Sequence, residues 1–317
     1  MSASGTAQRS GAGPRATSWA EVVRLRTLPA AAAPVILGAG AAAALGAFSP
    51  VRSLLAAGVA LALQIGCNLA NDYSDGVRGA DDERTGPPRL TASGAVAPRT
   101  VKLAAFGCFG VGGLLGLALV ALSGQWWLLA VGAAAIAAAW FYTGGPRPYG
   151  YAGLGEVFVF VFFGLVATAG TAYVQGGTAP GWLWAAAGGV GLIACSLLMV
   201  NNLRDIDTDP AAGKRTLAVR LGAGRARAAF IAMLWAPVAA GAVAIVWAHR
   251  ALGGRGAAWL VALAVVIAAL GAAAVRAGRA VLAGAAGRAL IPALRDAGLY
   301  ELLYGVALAG ALILASR

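Results

Sequence analysis

Asn201, Asp205 and Asp209 recur every four residues in NNLRDIDTD, directly after the apolar run GLIACSLLMV. On a helix that spacing makes one oxygen-rich stripe. The segment NLANDYSD at 68–75 repeats the arrangement, with Asn71 and Asp75 four residues apart at the end of another apolar run. Eight of the twelve acidic residues fall within 72–83 and 205–209, so the acid is concentrated in these two places. Carboxylate and amide oxygens are hard ligands that suit Mg²⁺, which prefers a few protein oxygens completed by phosphate oxygens. No Cys/His spacing fits zinc. Lys214 and Arg215 follow the second cluster, and Arg78 and Arg89 accompany the first. Acid and base together suit a magnesium-bound diphosphate whose remaining oxygens are held by cations. The apolar runs offer a greasy cavity beside it, so an amphiphile with a diphosphate head and a hydrocarbon tail satisfies both halves.

Other charged residues carry weaker signals. Asp72, Glu83 and Asp207 lie off the four-residue stripes and are expected to be solvated. Glu156 opens an apolar helix, and intramembrane carboxylates are functional candidates. Helix capping or an internal ion pair is an equal reading of it.

These residues need helices to hold them. The chain of 317 residues is 60% hydrophobic and 11% charged, against about 25% charged in soluble domains. That identifies an all-α, polytopic membrane protein. Residues 1–20, rich in Ser, Gly, Ala and Arg, are expected to form a disordered cytoplasmic tail, and 21–317 one transmembrane domain. Nine helices are expected near 28–48, 53–72, 101–122, 126–142, 154–175, 182–203, 226–248, 257–275 and 297–315. With the N-terminus inside, only Arg52, Arg250, Arg255 and Arg317 of the 24 Lys and Arg residues lie outside. The positive-inside rule accounts for this asymmetry, and so for the net charge of +12, without nucleic acid. Both Asp clusters then face the cytoplasm and the C-terminus lies outside. Cys67, Cys108 and Cys195 fall in apolar runs and read as buried thiols rather than a disulfide framework. His249 reads as a solvated or interfacial side chain.

Together, NDYSD at 71–75 and NNLRDIDTD at 201–209 resemble the two Asp-rich motifs of the UbiA superfamily of intramembrane aromatic prenyltransferases. RLRTLPAAAAPVILG, NLANDYSDGVRGADD, GPPRLTASG, YTGGPRPYGYAGLGEVFVFVFFG and DIDTDPAAGKRTLAVRLG resemble its menaquinone branch, whose members prenylate 1,4-dihydroxy-2-naphthoate. The resemblance covers about residues 24 to 222. It implies nine helices around a central cavity capped by cytoplasmic loops, with Mg²⁺ bridging the motifs to a polyprenyl diphosphate. By position it implies Asn71, Asp75, Asp205 and Asp209 as metal ligands, with Asn201 one turn before. Gly79 stands where many relatives carry a third Asp, and Asp81 is the expected substitute. Asp75, Asp205, Asp209 and Lys214 are the expected catalytic groups. Arg26, Lys214 and Arg215 match diphosphate-holding positions, Tyr142 and Arg147 lie in the acceptor segment, and Asn68, Arg78, Arg89 and Glu156 are further expected substrate contacts. Asp75, Asp81 and Glu156 all stand as candidate proton acceptors.

The implied reaction is prenyl transfer to the naphthoate with loss of CO₂ and diphosphate, in a bacterial-type cell membrane. Membrane lipid is the expected surrounding, with no nucleic-acid or protein partner. A 4-hydroxybenzoate or homogentisate acceptor, and more remotely a secondary transporter with the Asp stripes as an ion site, remain alternatives.

Overall fold

Glycines, prolines and short polar turns cut the apolar sequence into rods. The computed structural model describes residues 28–79 and 90–317, and every regular element among them is helical. In chain order the rods are α1 (Leu28–Ala44), α2 (Pro50–Val77), α3 (Pro98–Ser123), α4 (Leu128–Phe141) and α5 (Gly155–Gly176). They continue with α6 (Gly181–Arg204), α7 (Leu217–Leu252), α8 (Ala258–Leu282) and α9 (Ile291–Ala315). Local chemistry sets several ends. Ser49 caps α2 by accepting the Arg52 amide, with Pro50 in the first turn. Gly124 stops α3 at φ 72°, a left-handed conformation natural to glycine.

Seven rods are long and apolar enough to cross a membrane, which makes this a multi-pass membrane protein. The expected count of nine spans meets a difference here: the described part of α1 has 17 residues and α4 has 14. A helix rises 1.5 Å per residue, so these reach about 26 and about 21 Å against a hydrocarbon core of about 30 Å. The tail at 1–20, with Arg26, Asp81, Glu83 and Arg89, lies outside the described residues.

Among the described residues the bundle packs in three buried clusters. The larger block unites α1 with α5–α9, a smaller block joins α2, α3 and the segment around Leu90 through Leu69, Val101, Ala105 and Phe109, and a third brings together Val35, Ala56, Leu119 and Val174 of α1, α2, α3 and α5. Small residues let backbones approach in the larger block. A Cβ on Gly305 would lie 2.5 Å from the Ala33 carbonyl oxygen, and one on Gly164 of α5 would lie 2.6 Å from Gly191 Cα of α6. Several buried polar groups are satisfied internally, while among the described residues the Thr91 and Thr168 hydroxyls and both Glu301 carboxylate oxygens have no hydrogen-bond partner. Pro237 removes an amide inside α7, and the nearby Leu234 carbonyl accepts the Tyr300 hydroxyl of α9 at 2.9 Å.

Helix bounds depart from the expected ones where polar residues are buried. The rod expected to end at 72 runs to Val77, because the polar side chains of its last turns find partners inside the fold. The helix expected at 226 begins at Leu217 and breaks at Gly222, whose φ of 75° only glycine adopts readily. The last begins at Ile291, six residues before the expected 297. Cys195 is buried as expected, but Cys67 and Cys108 are only half-buried beside the cavity and the smaller block. His249 is not simply solvated: it stacks on Trp259 at 4.3 Å and bonds the Ala315 carbonyl at 3.1 Å.

Candidate active site

Asn68, Asn71 and Asp75 sit at i, i+3 and i+7 of α2 and therefore share a face. All three line a cavity of about 1160 Å³ bounded chiefly by α1–α6. Asn71 accepts the Thr143 hydroxyl at 2.8 Å. Arg78, exposed at the end of α2, donates to the carbonyls of Thr143 and Gly145. These contacts dock the Gly/Pro-rich loop after α4 against the first Asp motif.

Asp75 is 3% exposed, and both of its oxygens are engaged. Oδ1 accepts the Tyr151 hydroxyl at 2.7 Å, and Oδ2 pairs with Lys214 Nζ at 3.0 Å. Lys214 follows the second motif, so this ion pair joins the two motifs across one cavity mouth. Tyr151 is the hub of that mouth. Its ring lies 5.1 Å from the Lys214 ammonium and 5.5 Å from the Arg78 guanidinium, and its carbonyl accepts the Arg215 amide at 2.9 Å. Burial, and then the Asp75 charge, push the Tyr151 phenol far above its ordinary pKa. It remains a proton donor to Asp75 through the neutral range.

The second motif is not one continuous helical stripe. α6 stops at Arg204, and Asp205 is its C-cap. Residues 205–213 form turns that keep two helical contacts, Asp209 N to Asp205 O at 2.9 Å and Ala212 N to Thr208 O at 3.4 Å. At this end Arg204 folds onto Asp205, with Nε donating to Oδ1 at 2.8 Å and a terminal nitrogen to Oδ2. Asn201, Arg204, Asp205, Asp209 and Lys214 all line the cavity. Asp209 faces Thr216 at 3.5 Å.

Other expected site residues lie elsewhere. Arg147 and Arg215 are exposed and do not line the cavity, Arg215 contributing its backbone instead. Glu156 is buried outside the lining, where it accepts Asn202 Nδ2 at 3.4 Å. Asp72 corrects the expectation of a solvated charge. It is fully buried, and its two oxygens accept the amides of Leu90 and Thr91 at 3.0 and 2.9 Å. Asp207 is exposed, as expected. Gly79, in the position of the absent third Asp, lines the cavity at φ 71° and turns the chain out of α2.

Among the described residues, no three of His, Cys, Asp and Glu gather closely enough to enclose a metal ion. The mouth instead offers carboxylate and amide oxygens on two elements. That donor set suits Mg²⁺, which takes one or two carboxylates and completes its shell with water and phosphate oxygens.

Away from the mouth the wall is apolar. Residues 158/159, 162/163, 166/167 and 170/171 of α5 face the cavity in pairs every four residues. An α-helix would rotate such a stripe away, because its period is 3.6. The π-helical stretch Phe160–Val166 holds the stripe straight. Tyr142, Tyr149, Phe158 and Phe162 form a continuous aromatic series along it, with centroids 5.6, 3.9 and 6.3 Å apart.

Sequence reasoning missed Tyr151, Thr143, Arg204 and Asn202 as parts of this site. Only Arg204 had a local signal, its adjacency to Asp205. The Tyr151–Asp75 contact spans 76 positions in the chain and leaves no mark in spacing.

The model of the UbiA prenyltransferase family matches residues 31–294. The chain belongs to that family. It is 49% identical over 93% of its length to 96% of a Mycobacterium tuberculosis protein named 1,4-dihydroxy-2-naphthoate octaprenyltransferase. A protein of the same name from Escherichia coli is 43% identical over 67% of this chain and 71% of its own. Solved UbiA homologs share the fold. One from Archaeoglobus fulgidus bound to GPP and Mg²⁺ aligns at TM-score 0.68 and 15% identity, covering 94% of this chain and 99% of its own. An apo homolog from Aeropyrum pernix K1 aligns at TM-score 0.67 and 18% identity, covering 92% and 98%.

Proposed function

We propose that this protein transfers a polyprenyl group from a polyprenyl diphosphate to 1,4-dihydroxy-2-naphthoate, releasing diphosphate and CO₂ and giving a demethylmenaquinol. The observation that carries the reading is the 3.0 Å Asp75–Lys214 pair, which brings both Asp motifs to the mouth of one apolar, aromatic-walled cavity. The naphthoate acceptor is supported by the relatives that bear its name.

Asp75, Asp205 and Asp209, with Asn71 and Asn201, are the groups assigned to hold Mg²⁺. Bound there, Mg²⁺ neutralises diphosphate charge and eases its departure. Lys214 and Arg204 supply fixed positive charge at the same mouth, where charge accumulates on the leaving group. Tyr151 holds Asp75 and Lys214 in register. The aromatic faces from Tyr142 to Phe162 line the path of the tail, exclude water and favour an allylic cation over its hydrolysis. The electron-rich ring attacks that cation at the carbon bearing the carboxylate. The C–C bond to the carboxylate then breaks, its electron pair restores the aromatic ring, and CO₂ leaves. Rearomatisation therefore needs no proton removed from that carbon. Arg26, Asp81 and Arg89 remain assigned to substrate or metal by motif position alone.

The bundle is assigned to a bacterial cell membrane with nine crossings, counting α1 and α4. The Asp-motif end faces the cytoplasm, as does the N-terminus, because 20 of the 24 Lys and Arg residues fall on that side. The transporter alternative fits less well, since such sites lie near the bilayer midplane on broken helices.

The test is turnover by purified protein in lipid with a polyprenyl diphosphate, 1,4-dihydroxy-2-naphthoate and Mg²⁺. Product should vanish with EDTA and return with added Mg²⁺. Asp75→Asn and Asp205→Asn should each lower kcat/KM by about 100-fold or more. Full activity in folded Asp variants, or turnover only with another aromatic acceptor, would overturn the metal assignment or the substrate respectively.

A further inference from the structure

Arg276 and Arg279 near the end of α8, with Arg295 in the first turns of α9, line a second, shallow groove on the outside of the bundle. Asp296 is the one acid in its wall among the described residues. It pairs with Arg276 at 3.3 Å and Arg295 at 3.0 Å, while Arg279 has no ion-pair partner among those residues. Three guanidinium groups against one carboxylate leave a net charge of +2. The side chains of Arg276 and Arg295 are 61% and 58% exposed, so their remaining donors are available.

The groove is built on a fixed frame. Arg227 of α7 donates to the Val281 and Ala285 carbonyls at 2.9 and 2.6 Å, tying α7 to the α8–α9 connection. α7 starts directly after the second Asp motif, so the groove lies at that end of the bundle. It is nevertheless separate from the active-site cavity. Leu294 lines the cavity, whereas its neighbour Arg295 turns outward.

Each wall continues into the span as exposed apolar surface. On α8, Val275 lies one turn before Arg279 on the same face; on α9, Leu299 and Leu303 follow Arg295 at intervals of four residues. Cationic head and apolar stem are thus aligned in the order of a bilayer lipid, with the charge at the helix ends. Planar guanidinium groups match phosphate oxygens with paired, charge-assisted hydrogen bonds. We propose that this groove holds the headgroup of an anionic phospholipid from the surrounding bilayer, with its acyl chains along Val275, Leu299 and Leu303. Basic pockets between membrane helices recognise such headgroups.

Native mass spectrometry of the full-length protein, released from detergent after titration with phosphatidylglycerol, cardiolipin or phosphatidylcholine, tests the assignment. The anionic lipids should be retained in preference to phosphatidylcholine, and inorganic phosphate should not displace them. Arg276→Gln/Arg279→Gln/Arg295→Gln should lose retention by about fivefold per arginine. Arg279→Gln breaks no ion pair among the described residues and should lose about fivefold alone, which keeps the test if the triple variant fails to fold. Arg250→Gln/Arg255→Gln, at the opposite end, should retain lipid as the unsubstituted protein does. Unchanged retention in Arg279→Gln would overturn the proposal. So would equal retention of phosphatidylcholine, or displacement of the lipid by inorganic phosphate or by geranyl diphosphate.

Discussion

Two side chains, the half-buried Tyr151 and the buried Asp72, do more than their motif positions suggest. Tyr151 touches Asp75 and Arg78 at the end of α2, and Lys214 and the backbone of Arg215 in the α6–α7 connection. Tyr151→Phe keeps the ring but removes a hydrogen bond to a charged group, worth about 1.5–3 kcal/mol. Steady-state kinetics should show kcat/KM lowered by about tenfold or more, with the fold intact. The raised Tyr151 pKa fixes the sign of its pH dependence. A group raised above its unfolded value of about 10 contributes below that value and is lost only above it. The pH–rate profile of Tyr151→Phe should therefore keep the shape of the unsubstituted profile through the neutral range. Asp72 is a structural counterpart. Asp72→Ala strands the Leu90 and Thr91 amides, each costing about 1–3 kcal/mol when buried without a partner, and thermal unfolding in detergent should report the loss.

At the scale of elements, α5 does the work of shaping. Its π-helical stretch aligns the paired residues from Phe158 to Thr171 along the cavity, and the Gly164–Gly191 approach holds that wall against α6. A side chain at Gly164 meets the α6 backbone, which cannot move as a flexible side chain would. Gly164→Val should force the helices apart, lower the melting temperature and raise KM for the prenyl diphosphate more than for the naphthoate. Gly271→Ala in α8 is the control, since a Cβ there meets nothing within 4 Å and the residue lies outside the cavity lining, and it should leave both values near those of the unsubstituted protein.

For the whole molecule, the two ends differ in chemistry. One end gathers the Asp motifs, Lys214 and the arginines of α8 and α9. At the other, Arg52 caps the ends of α3 and α5 through the Leu122, Val174 and Gln175 carbonyls. Single cysteines introduced at the exposed Ser93, in the α2–α3 connection, and at Ser123, in a background lacking the native thiols, should label from opposite sides of intact membranes. Reaction of Ser93→Cys with an impermeant reagent from outside whole cells would reverse the proposed orientation.

Composition and the two Asn-x-x-x-Asp repeats determined by themselves that this is a helical membrane protein with paired oxygen-rich motifs. Both properties are local: apolar run length decides whether a helix tolerates lipid, and a four-residue spacing decides which side chains share a face. Family resemblance was legible for the same reason, since its motifs are contiguous. Only the tertiary structure decided that Asp72 is a buried clamp, that Glu156 and Arg147 stand outside the cavity lining, and that Tyr151 sits at the centre of its mouth. Each depends on a contact between distant segments or on which face of a helix meets a neighbour. The π-helical register of α5 belongs with them, because its departure from 3.6 residues per turn follows from packing against α6 rather than from residue type.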